Sequence, residues 1–254
     1  MSVVIAFLAF EMSAQQIFIA HRGASYLAPE NTVAAVNLAW ELGADAVEVD
    51  VFLAKDNRVM VNHDKDTKRT AAGKKNMVIR NTPSQVLRNL DVGRWKDEKY
   101  KGEKMPFLSE IIETVPVGKQ LVVEIKSEKE IIPHLKRDIQ KSGRQNQIVF
   151  ISFGWETILE TQKEFPDNKC YWLSSSKSGL NDKIEQAAAA GLAGVNLNYS
   201  IIDEEVISMA KENNLEVLAW TINDPAIAKR MTGWGVKAIT TDRPRWLKEE
   251  MAKL

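Results

Sequence analysis

A chain of 254 residues with 44% hydrophobic content is long enough to bury a full core, which fits one α/β barrel or two small domains. Lysine plus arginine equals aspartate plus glutamate, 34 against 34, so there is no basic excess of the kind that marks a nucleic-acid binder. No apolar run approaches the roughly 20 residues that span a membrane, so no transmembrane segment is expected. The single cysteine, Cys170, excludes an internal disulfide framework and reads as a core thiol in a buried strand.

Residues 1–14 stand apart from the rest of the chain. Val3 to Phe10 is a short apolar stretch followed by Glu11-Met-Ser-Ala14, which suits either a clipped secretory signal without a basic start or an N-terminal extension packed on the domain. A signal would make the protein periplasmic or secreted; otherwise it is cytoplasmic. From Ile17 onward short apolar runs alternate with helical patterns. The runs are 17–20, 46–51, 121–125, 148–153, 169–173, 194–198, 216–221 and 238–241. The helical stretches fall at 32–42, 128–141, 155–165, 182–190, 203–213 and 225–234, with Asp182, Asp203 and Asp224 as expected N-caps.

A ninth run, 59–62, is one too many for an eightfold barrel. Asp56-Asn57 resolves this as a two-residue turn, which joins only antiparallel strands. Residues 59–62 are then the returning leg of a hairpin, with Lys55 facing Arg58 and Asp50 facing His63. Eight parallel runs remain, and strand–helix repetition with right-handed crossovers closes them as a (β/α)8 TIM barrel. Residues 65–105, polar and lysine-rich, break the repeat. They read as a small capping insertion over one mouth, within a single domain spanning residues 15–254, and their lysines as solvated surface.

Barrel enzymes work at the C-terminal ends of their strands. Those ends supply His21-Arg22-Gly23, Glu48 with Asp50, Glu124 with Lys126, then Ser152, Asn196, Asn198, Trp220, Asn223 and Asp242-Arg243. Residues two apart share one face of a strand, so Glu48 and Asp50 project together, as do Glu124 and Lys126. Three carboxylates from two strands suit a hard divalent cation, Mg²⁺ or Ca²⁺. Arg22 and Lys126 offer donors for phosphate oxygens, and His21 and His63 titrate near neutrality. Together they describe hydrolysis of a phosphate ester. A histidine at a strand end is more often structural, and Glu-x-Lys can be a local ion pair, but such readings must all hold on one rim at once. His134, inside an amphipathic helix, reads as surface, and Trp40, Trp155, Trp172 and Trp234 as packing.

Ile-Ala-His21-Arg22-Gly23, Pro29-Glu30-Asn31-Thr32, Glu48-Val-Asp50-Val, Asn-His63-Asp64, Arg69-Thr70, Leu90-Asp-Val-Gly93, Val-Glu124-Ile-Lys126, Ala-Trp220-Thr-Ile-Asn223 and Ile239-Thr-Thr-Asp242-Arg-Pro244 together resemble the glycerophosphodiester phosphodiesterases, in order, from about residue 17 to the C-terminus. The resemblance implies a barrel enzyme that hydrolyses a small-molecule glycerophosphodiester to glycerol 3-phosphate and an alcohol. It implies Glu48, Asp50 and Glu124 as metal ligands, His21 and His63 as general acid and base, Arg22 and Lys126 on the phosphate and Trp220 beside the glycerol. It further implies attack by the glycerol 2-hydroxyl through a cyclic phosphate. Asn57 stands where the family usually has a turn glycine. A related phospholipase would be expected to carry an apolar docking stretch, which is not evident, and a non-catalytic diester binder would not need both histidines and all three acids.

Overall fold

The computed structural model of the chain describes residues 16–71 and 76–254, so the expectation for residues 1–14 lies outside the described residues. Nine strands form one sheet: β1 (Ile17–Ala20), β2 (Ala46–Leu53), β3 (Val59–Val61), β4 (Gln120–Ile125), β5 (Ile148–Ser152), β6 (Cys170–Ser174), β7 (Gly194–Asn198), β8 (Glu216–Trp220) and β9 (Ala238–Thr241). All but β3 run parallel to their neighbours, and β1 pairs with both β9 and β2, which closes the eight-stranded barrel. The helices are α1 (Val33–Glu41), α2 (Ser84–Arg88), α3 (Leu108–Glu113), α4 (Ile132–Ser142), α5 (Trp155–Glu164), α6 (Leu180–Ala189), α7 (Glu204–Glu212), α8 (Pro225–Trp234) and α9 (Pro244–Met251). Asp203 and Asp224 cap α7 and α8 as their positions predict. Asp182 does not cap α6: that helix begins two residues earlier, behind Gly179 at φ 65°, and Asp182 sits in its first turn.

Alternation along the strands sorts the core into two layers. On β2, Val47, Val49 and Val51 point outward to the helices with Leu121, Val123 and Ile125 of β4. Burying each such valine contributes about 1.5–3 kcal/mol. The opposite face looks into the barrel, where Ile19, Ala46, Val122, Val149, Tyr171 and Leu218 fill the floor. That same parity sends Glu48, Asp50 and Glu124 inward above the apolar floor. In the β2–β4 register Asp50 lies directly beside Glu124, and Glu48 beside Val122.

The hairpin forms, but with a different register from the one the Asp-Asn pair predicts. Val51 pairs with Val61, Phe52 with Met60 and Leu53 with Val59, and Ala54 N–H donates to Arg58 O at 2.9 Å. The loop is therefore three residues, Lys55 to Asn57, with Asn57 taking the left-handed conformation at φ 60°. Asp50 consequently faces Asn62, whose N–H donates to Asp50 O at 3.0 Å, and not His63. One hairpin face, with Leu53, Val59 and Val61, joins the main core. The other, with Phe52, Ala54 and Met60, forms the floor of a second cluster with Ala71, Ile79, Leu87, Leu90, Val92 and Met105 from the capping insertion.

Candidate active site

The β1–α1 loop (residues 21–32) is held in an unusual backbone state. Arg22, Gly23 and Asn31 all have positive φ, at 56°, 79° and 58°. A Cβ on Gly23 would lie 2.7 Å from the Ala35 backbone, so only glycine allows the loop to lie this close to α1. The left-handed turn aims Arg22 N–H at Glu48 Oε2 (2.8 Å) and lets Arg22 O accept from Asn31 N–H (3.0 Å). Asn31 then grips Asp50 twice: its Nδ2 donates to Asp50 Oδ2 at 2.8 Å, and its Oδ1 accepts from the Asp50 amide at 3.1 Å. Two left-handed non-glycine residues cost on the order of 1–3 kcal/mol each, and here both bear on the acids.

Glu48, Asp50 and Glu124 are buried, and one oxygen from each lies within 4.8 Å of the others. Among the described residues, Glu48 Oε1, Asp50 Oδ1 and Glu124 Oε1 have no hydrogen-bond partner, and the Lys126 ammonium lies 3.2 Å from Asp50 Oδ1 and 2.5 Å from Glu124 Oε1. Burial above all, then the neighbouring acids, push the Glu48 carboxyl well above its ordinary range. Burial and Asp50 lift Glu124 to about 7. Burial opposes ionisation of Asp50 as well, but Lys126, Arg22, His63 and Asn31 together hold it below its ordinary value. Like charges this close repel by about 3–4 kcal/mol per pair at an effective dielectric near 20. Three carboxyl groups share two cations, Arg22 and Lys126, and Arg22 is shared further with Glu30 at 3.0 Å. The oxygen-only donor set and its unsatisfied oxygens fit a hard divalent cation.

Both histidines line one cavity of about 200 Å³ with Arg22, Glu48, Glu124, Lys126, Phe153, Asn196 and Trp220. His63 arrives there although the hairpin register is shifted by one, because it follows the last ladder residue, where the chain turns over the mouth and alternation no longer applies. Its Nδ1 lies 2.7 Å from Asp64 Oδ1, as His21 Nδ1 lies 2.7 Å from Asp242 Oδ1. An ionised carboxylate only accepts, so both imidazoles carry their proton on Nδ1 and leave Nε2 for other chemistry. Asp242 is anchored by Asn223 Nδ2 (2.6 Å) and Ser25 Oγ (3.2 Å). Burial, with Arg22 and Lys126, holds His63 below its ordinary value against the pull of Asp50. Trp220 meets Phe153 edge-on, ring centroids 5.6 Å apart, and donates from Nε1 to Asn196 O at 3.2 Å. The cap reaches the same loop, with Lys96 Nζ donating to Ser25 O at 2.8 Å.

All eight residues singled out in the sequence thus converge on one mouth of the barrel. Their partners Glu30, Asn31, Asp64, Arg69 and Phe153 carry no role that sequence spacing assigns. Asp64 has an adjacent histidine as its signal; Glu30 and Arg69 stand in the quoted motifs, but they lie 39 residues apart and no spacing pairs them.

Burial opposes the charge of Asp242, yet its bonds to His21, Asn223 and Ser25 hold the carboxyl down, from an ordinary 3.8 to about 2. A depressed carboxylate contributes stability above its unfolded value and loses it as pH falls through the folded one. Wild type should therefore exceed Asp242→Asn by about 1–2 kcal/mol at pH 6, after discounting for solvent screening. That gap should close between pH 4 and pH 2. Urea unfolding of both proteins across that range measures it, and a pH-independent gap refutes the attribution.

A closed (β/α)8 barrel with acids, histidines and cations gathered at the C-terminal mouth has the layout of a barrel enzyme. The sequence model of the glycerophosphoryl diester phosphodiesterase family matches residues 21–245, and the chain belongs to that family of enzymes. It is 31% identical over 236 residues to the glycerophosphodiester phosphodiesterase of Caldanaerobacter subterraneus subsp. tengcongensis, covering 91% of this chain and 96% of that relative. It is 26% identical over 245 residues to a glycerophosphodiester phosphodiesterase of Bacillus subtilis, covering 89% and 83%. Among solved structures, a phosphodiesterase of Oleispira antarctica in complex with the product sn-glycerol-3-phosphate superposes with a TM-score of 0.86 at 31% identity, covering 93% of this chain and 96% of that one. No helix of the described residues is long and apolar enough to cross a membrane.

Proposed function

We propose that the enzyme hydrolyses glycerophosphodiesters to glycerol 3-phosphate and an alcohol, with a divalent cation held by Glu48, Asp50 and Glu124 and with His21 and His63 moving protons. The observation that carries this reading is the meeting of the buried acid trio, Arg22, Lys126 and both histidines around one cavity. Bound by the three carboxylates, Mg²⁺ or Ca²⁺ would supply positive charge toward the phosphate oxygens.

The diester is monoanionic and gains negative charge as a nucleophile adds, so Arg22 and Lys126 stabilise the transition state more than the substrate. His63, kept unprotonated near neutrality by its burial and the adjacent cations, takes the proton of the glycerol 2-hydroxyl. The hydroxyl oxygen bonds to phosphorus, the bond from phosphorus to the alcohol oxygen breaks, and His21, acting as an imidazolium whose Nδ1–H stays on Asp242, gives its Nε2 proton to that oxygen as it leaves. Water then opens the cyclic phosphate with the proton transfers reversed. Asp64 and Asp242 keep each imidazole in the tautomer that presents Nε2, and Trp220 with Phe153 forms an apolar wall for the glycerol carbons.

The purified enzyme, offered a panel of glycerophosphodiesters differing in headgroup, should release glycerol 3-phosphate from them. Release from none, with or without added cation, would overturn the reading in favour of a non-catalytic binder. Preference for diacyl phospholipids would favour a phospholipase.

A further inference from the structure

The Arg69 guanidinium occupies a place that neither the acid trio nor the proton transfers require. Its Nε donates to Asp64 Oδ2 at 2.8 Å, while Nη1 and Nη2 donate to Glu30 Oε2 and Oε1 at 2.6 and 2.8 Å. Glu30 in turn accepts from Arg22 Nη1 at 3.0 Å, and Asp64 holds His63 Nδ1 through its other oxygen. A continuous line of charged hydrogen bonds therefore runs from the His63 imidazole through Asp64, Arg69 and Glu30 to Arg22. It crosses from the cap to the β1–α1 loop of the barrel.

We infer that Arg69 and Glu30 are positioning residues for the reaction: a forked bridge that fixes the orientation of His63 relative to Arg22. This rests on the proposed roles of His63 and Arg22 in the hydrolysis. The bridge is not needed to hold the cap backbone. Asn62 Nδ2 already donates to Asp64 O (2.7 Å) and Asp66 O (3.3 Å), Thr67 N–H to Met77 O (3.1 Å) and Ile79 N–H to Lys65 O (3.0 Å). What the fork adds acts on side chains. Arginine suits this place because its planar donors serve two carboxylates at once, one of them bidentately, which a lysine ammonium cannot do. Burial works against the charge of Glu30, but Arg69 and Arg22 hold its carboxyl below the ordinary range, so the bridge stays ionised on both sides at neutral pH. Proton transfer depends on orientation, and a displacement of about 1 Å can cost roughly 100-fold.

The test is a double-mutant cycle on glycerophosphocholine hydrolysis with wild type, Arg69→Ala, His63→Ala and the double variant, with melting temperatures measured alongside. Arg69→Ala should lower kcat by about 10- to 100-fold while KM moves less than about threefold. Arg69→Lys should recover part of that loss, since one carboxylate contact survives. In the His63→Ala background the same Arg69→Ala change should cost less than about twofold, because the group it positions is gone. The full cost persisting in that background, or wild-type kcat in Arg69→Ala, overturns the bridge. Near-wild-type turnover in His63→Ala alone instead overturns the role of His63, and the bridge with it. If Arg69→Ala does not fold, Arg69→Met, which keeps the length of the side chain and removes its donors, takes its place in the cycle, and the same results support or overturn the bridge.

Discussion

Replacing either His21 or His63 with alanine should lower turnover of glycerophosphocholine by at least ~100-fold while binding of the divalent cation survives. Each imidazole is tied at Nδ1 to a carboxylate 2.7 Å away, and neither is among the three residues whose oxygens cluster within 4.8 Å. On the proposed roles, alanine would remove a proton carrier and leave the three carboxylates in place. The two variants should differ with the leaving group. If His21 protonates the departing alcohol, a p-nitrophenyl diester, whose leaving group needs no proton, should restore much of the rate to His21→Ala but little to His63→Ala. Steady-state kinetics on both substrates, with cation affinity from calorimetry, measures this. Near-wild-type hydrolysis of glycerophosphocholine by either variant would falsify its assignment, and an inverted leaving-group pattern would exchange the two roles.

Chelation should have a comparably large effect, lowering glycerol 3-phosphate release by at least ~100-fold, with recovery on adding Mg²⁺ or Ca²⁺. The physical ground is the charge imbalance at the acid trio, where burial lifts Glu124 to about 7 and Glu48 well above its ordinary range. An ion that binds only the folded protein stabilises it, by about 2.7 kcal/mol at 100 times its Kd. Adding cation should thus raise the melting temperature of wild type. It should leave Glu124→Gln or Asp50→Asn almost unmoved, since an amide is a weaker ligand and brings no charge. Turnover unaffected by chelator, or a thermal shift that persists in both variants, would sink the metal-dependent reading.

The barrel was legible in the sequence because its strands are short, apolar and regularly spaced, and because a hairpin accounts for the surplus run. The acid trio was legible for a related reason: the two-residue period of a strand places Glu48 with Asp50 and Glu124 with Lys126 whatever the rest of the chain does. Detail failed where one local choice had several solutions. Asp56-Asn57 can close a two-residue turn, yet Asn57 alone takes the left-handed conformation, which lengthens the loop to three and moves the register by one. Gly179, and not Asp182, caps α6, because a left-handed residue ahead of the helix turns the chain three positions before the expected cap. At six residues α3 is too short to show a helical period. The links among Glu30, Asp64 and Arg69 depend on how the cap lies on the barrel, and sequence spacing carries no trace of that.

The two-faced hairpin bears on any attempt to retailor the enzyme for other alcohols. The cap does not sit on the barrel as a detachable lid. Its underside is moulded to Phe52, Ala54 and Met60, and Phe107, just past the insertion, bridges back to Met60 and lies 4.0 Å beneath the Arg58 guanidinium. Grafting residues 65–105 from a relative would set a foreign underside on a floor cut for another shape. The unit of exchange is the whole stretch from Phe52 to Phe107, so a new cap must bring the end of a barrel strand with it.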